Sequence, residues 1–112
     1  MTFYKYTDEK MRSNGIGIPE PLRIQYKIGE WIEPKVGKIF VTTDKFLNEP
    51  RCFVVEVRNP IRVRKILSIW AGFGPSVTEI ENYWKDPLNH YHGYVQDDTY
   101  ICEAVRLINE IL

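Results

Sequence analysis

The run Cys52-Phe53-Val54-Val55-Glu56-Val57 is the strongest local signal in the chain. β-Branched and aromatic side chains at that density favour a pleated strand. A strand leaves backbone donors and acceptors open along both sides, so the rest of the chain must supply partners for it. Asn59-Pro60 breaks the run. Residues 61–67 then resume it, with Ile61, Val63 and Lys65 alternating against Arg62, Arg64 and Ile66. The partners are sought upstream. Phe3–Thr7 alternates aromatic and polar residues, and 22–28 sets Leu22, Ile24 and Tyr26 against Arg23, Gln25 and Lys27. Gly29-Glu30 bends the chain before Trp31 and Ile32, and 38–43 is a β-branched run ended by Asp44. Between the first two, a polar stretch at 8–14 and Gly15-Ile16-Gly17-Ile18-Pro19-Glu20-Pro21 exclude a helix and predict a long loop.

The second half changes period. Ser76 and Glu79 make a capping box, and Val77, Ile80, Tyr83 and Trp84 follow at helical spacing until Asp86-Pro87. Residues 88–98 form a second loop, aromatic and polar. From Thr99, the residues Ile101, Val105, Ile108 and Leu112 recur at helical spacing. The same segment also reads as a strand that places Ile101, Val105 and Leu107 inward. With the helical reading, the expected fold is a single α+β domain over residues 1–112. It has an N-terminal antiparallel β-sheet followed by two C-terminal helices.

Charge narrows the partners. The 15 Lys and Arg balance the 15 Asp and Glu, which argues against a binder of long nucleic acids. The balance is not local: residues 23–65 hold ten basic and five acidic groups, whereas 76–112 hold two and seven. Such halves can pair with each other, pair with a second copy, or leave a local positive pocket. No uninterrupted apolar window reaches the 18 or so residues of a membrane span. The first residues lack the layout of a signal peptide, so a cytoplasmic location is expected. Cys52 and Cys102 are then expected as free thiols.

No enzyme signature stands out. Asp97 and Asp98 are adjacent and point apart, which suits a cap before Thr99 better than acid–base work. His90 and His92 have no nucleophile or metal-ligand set beside them, and no cofactor is expected. Gly72-Phe73-Gly74-Pro75 lacks the lysine of a phosphate loop. Binding has more support. Arg23, Arg58, Arg62, Arg64 and Lys65 crowd the strands, while Trp70, Phe73, Tyr91 and Tyr94 lie in loops. Guanidinium groups fork onto phosphate oxygens and rings stack on bases, so the expected ligand is a small phosphorylated nucleotide. Trp31, Tyr83 and Trp84 are assigned to the core or an interface. By chemistry and position the candidate ligand residues are Arg12, Ser13, Asn14, Arg23, Phe73, Asn89 and Arg106. Of these, Arg23 and Arg106 are expected to meet a pyrophosphate, with Phe73 stacking on the base.

Tyr26-Lys27-Ile28-Gly29-Glu30-Trp31 is similar to a YKVGEW-type element of small phage-encoded proteins. Lys38-Ile39-Phe40-Val41 matches their next strand, the segment Phe53 to Pro60 their V-x-N-P turn, and Thr99-Tyr100 with Val105-Arg106-Leu107-Ile108 their closing segment. The layout resembles the anti-Thoeris sponge proteins. The resemblance implies a non-catalytic homo-oligomer that sequesters a cyclic ADP-ribose isomer or a cyclic oligonucleotide in pockets between subunits. Two alternatives stand beside it: an ADP-ribosyltransferase-like enzyme, suggested by strand order, and a protein-binding inhibitor that uses the split charge.

Overall fold

The computed structural model describes residues 1–13, 20–45, 50–62, 78, 81, 85 and 98–111. Among these residues seven strands form one sheet: β1 (Phe3–Thr7), β2 (Trp31–Ile32), β3 (Ile39–Thr42), β4 (Arg51–Arg58), β5 (Ile61–Arg62), β6 (Thr99–Cys102) and β7 (Ala104–Ile111). Their order is β2-β7-β4-β1-β3-β6-β5, and every named pair is antiparallel. The strands expected at 3–7, 38–43 and 52–57 are present as β1, β3 and β4; 61–67 is a strand at Ile61–Arg62, its remainder lying outside the described residues, and 22–28 makes isolated bridges instead of a strand. The run at 52–57 lies inside β4, held between β1 and β7.

The expected α+β fold with two C-terminal helices is not what forms. Among the described residues there is no helix of seven or more, and 99–111 builds two strands. Of the helix expected after Ser76, Thr78, Glu81 and Lys85 have helical backbone, and the rest lies outside the described residues. The final segment is a strand because β7 has a partner on each side, β2 and β4, so its backbone groups are satisfied by neighbours distant in sequence. Ile108 explains the misleading helical spacing. Val54 faces Asn109 but Val55 faces Leu107, so Ile108 is the extra residue of a β-bulge. It is 41% exposed, whereas Val105 and Leu107 are fully buried.

Connectivity forces the sheet to curl. Only Glu103 separates β6 from β7, yet β4, β1 and β3 stand between them in the order. Likewise β4 and β5 are joined by Asn59-Pro60, and they pair with β7 and β6 respectively. Two long strands therefore bend side by side. The bends are tied together: the Glu103 N–H donates to Arg58 O at 2.9 Å, and Asn59 Nδ2 donates to the Glu103 carboxylate at 2.8 Å. Asn59 sits at φ 51°, a left-handed conformation that asparagine tolerates well.

The core occupies one face of the curled sheet. Ile39, Val41, Phe53, Val55, Cys102, Val105 and Leu107 are buried there. An arm made of residues 8–13 and 20–28 covers them with Tyr26, Ile24 and Met11. Within it, Ser13 N–H donates to Ile24 O at 3.0 Å and Tyr26 N–H to Met11 O at 2.8 Å. The alternation read at 22–28 is thus used to cover the sheet: Tyr26 is 1% exposed, while Gln25 and Lys27 face solvent. Leu22 closes a short 3-10 turn, Glu20–Leu22. Cys52 and Cys102 are free thiols, and burial pushes Cys102 up to about 11.

Candidate functional site

Side chains two apart on a strand share a face. That rule places Trp31 of β2, Arg106 of β7 and Glu56 of β4 in one cross-strand row, on the face opposite the core. Arg106 Nη2 donates to Glu56 Oε1 at 2.6 Å, and its guanidinium carbon lies 5.4 Å from the centre of the Trp31 ring. One pleat along β4, Arg58 stands opposite the small, buried Ala104. Its guanidinium carbon comes within 4.8 Å of the same ring centre, and Nη1 is 3.5 Å from Glu33 Oε1. Two guanidiniums therefore share one indole, each steadied by a carboxylate. Cation–π contacts of this kind contribute about 0.5–1 kcal/mol each where solvent reaches them. Arg106 Nε is buried and has no hydrogen-bond partner among the described residues.

The cluster lies at a sheet edge. Among the described residues β2 pairs with β7 alone, and Trp31 is 39% exposed. Gly29, at φ 84°, turns the chain into this strand while its N–H donates to Leu107 O at 2.8 Å. Ile28 and Ile108, both exposed, flank the same stretch of β7, Ile28 by its bridge to Leu107.

Three of the expected site residues meet in the arm instead. Arg23 Nη1 donates to Ser13 O at 2.6 Å, and Ile24 N–H donates to Ser13 Oγ at 2.9 Å. Arg12 Nε donates to Asp8 Oδ2 at 3.2 Å, and Glu20 approaches both arginines. Burial pushes the Asp8 carboxyl up, but the Arg12 and Lys10 backbone N–H groups and the Arg12 guanidinium outweigh it and leave Asp8 below its ordinary value. These side chains order the arm. Arg106 stands apart from them, on the far face of the sheet, so the expected pairing of Arg23 with Arg106 on one pyrophosphate is not formed within a single chain. Asn14, Phe73 and Asn89 lie outside the described residues, as do Arg64, Lys65, His90, His92, Asp97 and the 72–75 segment.

Elsewhere the basic middle pairs with the acidic end. Arg51 forks onto Glu110, with Nε–Oε2 2.8 Å and Nη2–Oε1 2.7 Å, and Lys38 Nζ lies 3.8 Å from Glu103 Oε1. Sequence reading passed over Trp31, assigned to the core or an interface, and over Glu56 and Glu33. The two-residue spacing of Glu56 and Arg58 in a strong strand, which puts both on one face, was the available signal. Among the described residues no three His, Cys, Asp or Glu side chains gather to hold a metal, and no helix is long and apolar enough to cross a membrane. No protein-family model, curated protein or solved structure matches the chain.

Proposed function

We propose that this protein binds and sequesters a small phosphorylated nucleotide without cleaving it, through Arg58, Trp31 and Arg106. The observation that carries the reading is the buried Nε of Arg106, a charged donor without an acceptor among the described residues, beside an indole that also holds a second guanidinium. An unmet donor on a charged group is costly, and a phosphate oxygen meets it well. In this reading Arg106 turns from Glu56 to place Nε and one Nη on a phosphate, and Arg58 supplies the second cation. A cyclic ADP-ribose isomer or a cyclic oligonucleotide is the ligand implied by the phage-protein resemblance. The β2 edge, which has no further strand partner among the described residues, suits a pocket completed by a second subunit. Sedimentation should then give a mass above the 13.3 kDa monomer, and a monomer at all concentrations would remove the oligomer from the proposal.

Mass spectrometry of what heat releases from protein purified out of ligand-producing cells tests the reading. An intact phosphorylated nucleotide supports it. Recovery of a hydrolysed product, or no nucleotide together with no binding in vitro, overturns it. A second reading, a protein-binding module, is favoured by the exposed Ile28, Trp31 and Ile108 at one edge. Co-purification of a stoichiometric host protein with no nucleotide selects it.

A further inference from the structure

Residues 27–31, which run from a turn into β2, are exposed without interruption although they include Trp31 and an isoleucine, Ile28, that is 53% exposed. Ile108, the bulge residue of β7, is exposed beside them, because Ile28 bridges its neighbour Leu107. Apolar side chains grouped on an exposed edge point to a surface that takes a partner. The backbone beneath them is fixed. The Gly29 N–H donates to Leu107 O at 2.8 Å, and the Glu30 N–H closes the turn on Lys27 O at 3.4 Å. A partner would therefore meet a turn already held against β7, with little further ordering required.

Charge decides which partner fits. Around the apolar centre, Lys27, Arg58 and Arg106 stand among Glu30, Glu33 and Glu56. A partner of one sign, whether an acidic peptide or a basic one, would meet as much repulsion as attraction. The charges left unanswered within one copy are also of both signs. Among the described residues neither Lys27 nor Glu30 joins an ion pair. These two residues are the ends of one turn. A two-fold interface repeats every contact, residue i on j and j on i. An axis through this turn therefore sets lysine against glutamate twice.

We infer that a second copy of this chain docks on the β2 edge about a two-fold axis at the Lys27–Glu30 turn. Lys27 of each copy meets Glu30 of the other, and the Ile28, Trp31 and Ile108 side chains of both copies lie between them. Exposed ion pairs contribute little affinity. The apolar centre supplies the attraction, and the turn charges set the register. Such a copy completes the pocket proposed for the nucleotide. That role rests on the nucleotide reading, whereas the docking itself needs no ligand.

Charge reversal tests the docking, by sedimentation velocity without nucleotide. The samples are the native chain, Lys27→Glu, Glu30→Lys and an equimolar mixture of the two variants, each variant checked for folding by circular dichroism. The native chain should sediment as a dimer of the 13.3 kDa unit. Either reversal alone sets like charges together at both contacts and should weaken dimerisation at least about tenfold. In the mixture one variant answers the other at both contacts, so a heterodimer should form with near-native affinity. A native chain that stays monomeric, reversals that dimerise as the native chain does, or a mixture that stays monomeric overturns the docking. Should either reversal fail to fold, Ile28→Ser replaces it: the same loss is expected, and an unchanged dimer overturns the docking. Neither Lys27 nor Glu30 belongs to the nucleotide set of Trp31, Arg58 and Arg106, so the two ideas fail separately. Nucleotide bound by a native chain that stays monomeric removes the docking alone, and a dimer that takes no nucleotide removes the nucleotide reading alone.

Discussion

Glu110 and Arg51 come from opposite ends of the charge split, and their forked hydrogen bonds hold the Glu110 carboxyl below its ordinary value. A carboxyl lowered in the folded state contributes stability above the ordinary carboxylate range and loses it as pH falls through the folded value. Glu110→Gln should therefore lower the urea midpoint at pH 7 and leave it nearly unchanged at pH 3. An equal drop at both values would mean the side chain matters for packing and not for charge. The pairing itself was half legible. The imbalance between residues 23–65 and 76–112 announced that the two would meet, but which arginine meets which carboxylate depends on strand register, 59 residues apart here. Arg12 and Arg23 show the limit of choosing site residues by type. Their guanidiniums are used inside the arm, on Asp8, Glu20 and the Ser13 carbonyl.

At the scale of the element, β7 tests the strand against the helix. A helix would bury Ile108 with Ile101 and Val105, whereas the bulged strand buries Leu107 and exposes Ile108. Leu107→Ala should cost about 3 kcal/mol by urea denaturation, within the range for a fully buried leucine. Ile108→Ala should cost less than about 1 kcal/mol, as for an exposed site. The reverse order of costs would restore the helix. The ambiguity has a physical origin. A bulge shifts the two-residue alternation by one, and Ile101, Val105 and Ile108 then mimic a helical stripe. The strands of the first half were easier to read because no bulge interrupts β1, β3 or their pairing with β4 and β6. The arm was read as alternation at 22–28, correctly in its inward residues, but its partner was not a neighbouring strand of the sheet.

At the scale of the whole molecule, one residue between β6 and β7 makes the sheet curl, and the curl separates two environments. Inside, the arm seals the core. Outside, the β2 edge carries the Trp31 cluster. Sequence could list the arginines of this cluster but could not align them, because Trp31, Glu56 and Arg106 are brought into one row by two separate pairings. Alanine at Arg12 should cost some order in the arm but little affinity, since the arm and the row lie on opposite faces.

Calorimetric titration of a cyclic ADP-ribose isomer, and in parallel a cyclic dinucleotide, into four proteins decides most directly whether the outer row binds nucleotide. The four are the native protein, Trp31→Ala, Arg106→Ala and Arg12→Ala, each confirmed as folded. At least one ligand should bind the native protein and Arg12→Ala alike, with affinity falling at least about tenfold in Trp31→Ala and Arg106→Ala, the loss of a charged hydrogen bond or its brace. Absence of heat with both ligands, or equal affinity in all four proteins, would contradict the account.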